Sequence, residues 1–169
     1  MGRGTSKFKK VKTDNSKEAI SRFNIRVYGI FIQGSQILVT DEFRMGQFLT
    51  KFPGGGMHFG EGTIDCLRRE CREELNQEIG IAEHVYTTDF FQPAFFLPQN
   101  EQLISIYYLA RLEEPTAVAV ATQPFDFPAV IEGAQRFRWI NLEHINVCDF
   151  TLPIDKHVAN MLLEKFVIH

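Results

Sequence analysis

Several features are missing from this 169-residue chain, and each absence closes off a class of protein. No apolar run approaches the length needed to cross a bilayer, so no membrane partner is expected. The basic N-terminus is not followed by the apolar segment that a secretory signal requires. Cysteine is scarce and odd in number: Cys66, Cys71 and Cys148, without C-x-x-C spacing. That excludes an obvious disulfide framework or zinc site and points to a reducing, cytoplasmic setting. Internal repeats and low-complexity segments are also absent. What remains, 44% hydrophobic and 23% charged, fits one globular domain with a full-sized core.

Charge is small in sum and uneven in placement. The net charge is −3. Residues 1–26 hold eight Lys/Arg against Asp14 and Glu18, a local net of +6, and the remainder carries −9. Residues 1–21 read as a basic polar leader, and residues 22–169 as a single domain. Such an arm could touch nucleic acid or anionic lipid, although a solvated leader is the ordinary reading of a charge run. The opening MGRGTS also matches the short myristoylation pattern at Gly2, one that is common by chance.

Hydrophobic periodicity then supplies an outline. Asn24–Ile32, Ile37–Phe43 and Phe48–Pro53 have strand composition, the first two joined by a turn over Gln33–Gln36. From Thr63 the period changes: Ile64, Leu67, Cys71 and Leu75 are spaced as one face of a helix. Thr63 suits its N-cap and Asn76 its left-handed exit. Glu83–Phe91, Gln102–Leu112 and Ala134–Leu142 read as strands, with Trp139 in the core. Leu152–Phe166 reads as a closing helix, and Pro115–Val130 is ambiguous. Strands on both sides of a central helix suggest a mixed α/β or α+β sandwich.

The central helix also carries Glu70, Glu73 and Glu74. At about 100° per residue, Glu73 lies about −60° and Glu74 about +40° from Glu70, so all three project from one side. Like charges so close repel unless something positive sits among them. A solvated acidic face is the bland alternative. Hard carboxylate oxygens suit Mg²⁺ or Mn²⁺ rather than Zn²⁺. Just before the helix, Gly54, Gly55 and Gly56 let the backbone approach a ligand closely, and loop N–H groups at a helix N-terminus favour an anion. His58, inside the same loop, is a candidate phosphate contact, set against the more ordinary solvent-facing histidine.

The whole spacing resembles the Nudix box, G-x5-E-x7-R-E-U-x-E-E-x-G-U, where U is a bulky aliphatic residue. Here it reads Gly55, Glu61, Arg69, Glu70, Cys71, Glu73 and Glu74, with Asn76 for the last glycine and Gln77 for the last aliphatic residue. The resemblance implies an α/β fold of the Nudix type: an α/β/α sandwich with a mixed sheet. It implies a metal-dependent hydrolase that cuts a nucleoside diphosphate linked to another moiety. Carried onto this chain, it makes Glu70, Glu73, Glu74 and the Gly54 carbonyl the metal ligands, Arg69 the holder of the glutamates and Glu61 the pin of the loop. Gly55, Gly56 and His58 would meet the substrate. A general base is expected in the loop before the Trp-bearing strand, where Glu132 fits best and Glu101, Glu113 and Glu114 compete.

In such a site, divalent ions polarise the diphosphate oxygens while water attacks one phosphorus in line. In this family a proline at about the distance of Pro93 past the box accompanies ADP-ribose hydrolysis. ADP-ribose or a nucleotide sugar is therefore the leading small-molecule substrate, with nucleoside triphosphates next. The alternatives are an RNA 5′-end or cap hydrolase that uses the basic arm, and a Nudix-fold regulatory module without catalysis. A homodimer is compatible with all of these.

Overall fold

The computed structural model describes residues 20–94 and 100–166. The basic leader through residue 19, Phe95 and Phe96 lie outside the described residues. β-Branched and aromatic residues dominate β1 (Arg22–Gln33), β2 (Gln36–Arg44) and β6 (Glu101–Leu112). With β3 (Gln47–Lys51), β4 (Gly54–Gly56), β5 (Ile79–Thr87) and β7 (Ala134–Asn141) they form a seven-stranded mixed sheet. β1 is its spine: it pairs in parallel with β6, antiparallel with β4 and, through a hairpin at Gln33 and Gln36, with β2. β2 lies between β3 and β7, and β5 flanks β6.

Two helices cover opposite faces of this sheet. α1 (Thr63–Leu75) lies over Val27, Phe31, Leu38, Leu112 and Phe137. α2 (Pro153–Phe166) lies over Tyr28, Ile30, Val39, Phe52 and Tyr107. Successive β1 residues thus feed alternate cores, because side chains alternate across a strand. The architecture is an α/β sandwich. Full burial of a residue such as Leu67 contributes about 1.5–3 kcal/mol. No helix among the described residues is long and apolar enough to cross a membrane.

Several boundaries differ from the sequence reading. The fifth strand starts at Ile79 rather than Glu83, because Asn76 turns the chain back directly at the helix exit (φ 51°, ψ 42°). Phe90 and Phe91 consequently lie beyond the strand, on the surface. The triple glycine forms a short strand that composition could not announce; β1 templates it, with Gly54, Gly55 and Gly56 opposite Tyr28, Val27 and Arg26. The N-cap is Gly62 rather than Thr63: the Asp65 carboxylate accepts from the Gly62 N–H at 3.3 Å, while the Thr63 hydroxyl pairs with that of Tyr108 at 2.7 Å. Ile64 is 37% exposed, and Cys66 takes its place in the buried stripe. Trp139 is half-buried against the α1-side core.

Candidate active site

The glycine loop and α1 meet through Arg69. Its guanidinium donates to Glu61 (Nε to Oε1, 2.5 Å; Nη2 to Oε2, 3.1 Å) and to the Gly56 carbonyl at 2.9 Å. Nη1 donates to Glu70 Oε1 at 2.8 Å and to Glu73 Oε2 at 3.2 Å, so one nitrogen holds both carboxylates. Arg69, followed by the His58 backbone N–H, holds the Glu61 carboxyl down to about 2. Glu61 is therefore an ionised pin rather than a proton donor. Burial pushes the Cys66 and Cys71 thiols up to about 12, which leaves both as inert core groups.

Glycine is required twice here. Gly54 has φ +130°, and a Cβ on it would lie 2.2 Å from the Val27 carbonyl oxygen. A Cβ on Gly55 would sit 2.6 Å from the Glu70 carboxylate, so Glu70 lies directly over bare loop backbone.

Beside this junction opens a cleft of about 500 Å³. It is lined by Glu70 and Glu74 of α1, by Gly54–Gly56, and by Arg26, Tyr28 and Lys51 of the neighbouring strands. Glu132 and Met45 line it as well. Lys51 is buried, paired with Glu42 Oε1 at 2.9 Å and donating to the Gly54 carbonyl at 2.8 Å. Glu74 has its pKa raised, chiefly by burial; Glu42 and Glu70 reinforce the shift, and Lys51 and Gln135 oppose it.

Of the residues expected from the sequence, Gly54, Gly55, Gly56, Glu70, Glu74 and Glu132 share this cleft. Glu73 stands beside them on α1 with its side chain 58% exposed, outside the cleft lining. The His58 side chain is 68% exposed and does not line this cleft, and its backbone N–H is bound to Glu61. Glu132 lies in the loop before β7, and its Oε2 accepts the Met45 N–H at 2.7 Å. Its competitors are elsewhere. Glu101 is bound to Asn24, and Glu113 and Glu114 sit at the exit of α1, their backbone N–H groups bonded to Glu78 and Gln77.

Sequence reasoning missed Arg26, Tyr28, Glu42 and Lys51. Arg26 and Glu42 carry one sequence signal: each is a charged residue inside a strand rich in apolar residues, where burial demands a partner.

The donor set fits a hard divalent cation. Glu70, Glu73, Glu74 and the Gly54 carbonyl all present oxygen, and the bare backbone at Gly55 leaves the Glu70 carboxylate room. Among the described residues, no three His, Cys, Asp or Glu side chains converge on one point. Arg69 instead bridges Glu70 and Glu73, and Lys51 pairs with Glu42 and the Gly54 carbonyl.

A family model described as NUDIX domain matches residues 22–161. No curated protein sequence matches the chain. Solved structures share its fold. A NUDIX hydrolase from Nitrosomonas europaea superposes with a TM-score of 0.61 at 15% identity, covering 85% of this chain and 90% of that one. A MutT NUDIX hydrolase from Burkholderia pseudomallei gives 0.58 at 19% identity, covering 87% and 100%. An ADP-ribose pyrophosphatase from Streptococcus suis gives 0.53 at 17%, covering 86% and 94%. With the glycine, arginine and glutamates of the box present from Gly55 to Glu74 and the family match spanning the sheet, α1 and the first part of α2, the chain belongs to the NUDIX family and is a hydrolase of diphosphate bonds.

Proposed function

We propose that this chain hydrolyses the diphosphate of a nucleoside diphosphate joined to a second moiety, and that ADP-ribose or a nucleotide sugar is its leading substrate, with nucleoside triphosphates next. The carrying observation is the cleft that faces Glu70 and Glu74 across the bare Gly54–Gly56 backbone. Glu70, Glu73, Glu74 and the Gly54 carbonyl would hold Mg²⁺ or Mn²⁺, which supplies polarisation of the diphosphate oxygens and offsets their charge. Arg69 keeps Glu70 and Glu73 together and fastens the loop to the helix. The Gly55–Gly56 backbone allows the phosphates to lie close. Glu132, which lines the same cleft, takes the proton of the attacking water, the role of a general base.

The substrate order rests on the Pro93 segment. Pro93 bridges to Gln102, which sets Ala94 and Leu103 in the cleft lining as an apolar surface beside its charged residues. The fold is shared with a protein described as an ADP-ribose pyrophosphatase.

The test is a panel of ADP-ribose, nucleotide sugars, nucleoside triphosphates and dinucleoside polyphosphates, with Mg²⁺, Mn²⁺ or a chelator. ADP-ribose should be cleaved fastest, to AMP and ribose 5-phosphate, and only with divalent metal. Glu73→Gln and Glu74→Gln should each lower turnover by about 100-fold or more while the fold persists. Near-normal Mg²⁺-dependent turnover in either variant would remove that glutamate from the metal site.

A further inference from the structure

Arg26 stands opposite Gly56 in the β1–β4 ladder, so its side chain rises beside the glycine loop. Its Nε donates to the Tyr28 hydroxyl at 2.6 Å, and its guanidinium carbon lies 5.7 Å from the centre of that ring. Gly56 offers no side chain in between: a Cβ there would lie 3.7 Å from Arg26 Nη1. Tyr28 is fixed in turn, fully buried and stacked on Tyr107 at 5.2 Å.

Three cations line the cleft, Arg26, Arg44 and Lys51, and the two that lie nearest the glycine loop differ in one respect. Lys51 is already engaged by Glu42 and by the Gly54 carbonyl. Among the described residues, Arg26 has no carboxylate partner, and its Nη1 and Nη2 bond to nothing, although it lines the cleft. Glu42 and Glu70 act on the guanidinium through space without bonding to it, and the anchored Nε leaves the Nη1–Nη2 edge as a two-pronged donor. That fork matches the oxygens of a phosphoryl group.

We propose that Arg26 binds a phosphoryl group of the substrate seated against Gly55 and Gly56, and that Tyr28 is the positioning residue that aims it. The proposal rests on the diphosphate-hydrolase reading for its ligand. It adds a recognition residue from β1, outside the glycine loop and the acidic helix.

Two measurements on the full-length protein test it. The first is binding of methylenediphosphonate, an uncleavable diphosphate, with Mg²⁺ by calorimetry. The second is steady-state kinetics on the best substrate of the panel. Arg26→Gln should weaken methylenediphosphonate binding about tenfold and lower kcat/KM about 100-fold, with the melting temperature and the Mg²⁺ dependence unchanged. Arg26→Lys should recover only part of each, since it restores charge but not the fork. Tyr28→Phe should shift both in the same direction by less.

Wild-type binding and kinetics in Arg26→Gln would overturn the proposal. So would losses that track a fall in melting temperature, because these would mark Arg26 as a prop for Tyr28. If no panel substrate is cleaved, the functional reading falls, while the calorimetry still decides whether Arg26 holds a diphosphate.

Discussion

At the scale of single residues, the four candidate bases named from the sequence, with Glu132 first, differ in whether they line the cleft. Glu101, Glu113 and Glu114 sit away from the cleft, whereas Glu132 lines it with one oxygen on the Met45 N–H. The contact is across a long sequence separation, so no local pattern could announce it. A base acting in the chemical step is needed in the transition state but not for cation binding. Glu132→Gln should therefore lower kcat by about 100-fold while the Mg²⁺ titration midpoint stays put. Kinetics beside Glu113→Gln and Glu114→Gln checks this. An unchanged kcat in Glu132→Gln would leave proton removal to the helix glutamates. The sequence made Arg69 and its glutamates legible because helical spacing dictates which side chains share a face. It could not reveal Lys51 and Arg26, which enter the site from neighbouring strands.

At the scale of elements, the two departures from the box have separate physical accounts. Asn76 takes the left-handed exit conformation, and its N–H and that of Gln77 close onto Arg72 and Cys71 carbonyls. Gln77, where an aliphatic side chain is usual, is buried, and its Oε1 accepts the Glu114 N–H at 3.0 Å. A polar group replaces an apolar one there without being orphaned. Because glycine reaches the left-handed region without steric cost, Asn76→Gly should preserve turnover and change stability by less than about 1 kcal/mol. Asn76→Val should cost about 1–2 kcal/mol. Urea unfolding of both variants reads the difference; equal stability would show that the helix exit does not constrain the backbone. This element was readable from the chain apart from its exact ends. The β4 strand was not, since it exists only because β1 lies beside it.

At the scale of the whole molecule, both cores carry polar groups that tie distant elements together. Asp41 is buried and receives Arg138 Nε at 2.6 Å, Thr50 Oγ1 at 2.7 Å and the Phe125 N–H at 3.2 Å. It thereby joins β2, β3 and β7 to the loop that leads toward Glu132. On the other face, Asp155 of α2 accepts from the Tyr107 hydroxyl at 2.7 Å, while its Oδ2 has no partner among the described residues. Burial pushes its pKa up to about 7; Tyr107, Lys51 and Arg26 oppose the shift and Glu42 adds to it.

The sign of the stability effect follows from which state holds the proton. Between the ordinary value of 3.8 and about 7, the folded chain keeps the proton and the unfolded chain loses it. Stability from this group therefore falls as pH rises through that window, by at most about 1.4 kcal/mol per pH unit, and is level outside it. Asp155→Asn should gain stability over the wild type as pH is raised from about 5 to about 8, measured by urea unfolding. An equal difference at both pH values would show that Asp155 does not titrate in the folded protein.

Features that depend on near neighbours along the chain were readable from residue order. Helical phase placed Glu70, Glu73 and Glu74 together, and the glycine run announced a close backbone approach. The box spacing reached the family and with it the α/β sandwich. Which charged groups meet across strands was settled by packing alone. Lys51 came to the Gly54 carbonyl, Arg26 to the cleft with no carboxylate bonded to it among the described residues, and Glu132 to the same cleft, while the His58 side chain is largely exposed. The reason is that register between strands and the crossing of loops are set by packing of the two cores, and no local periodicity encodes either.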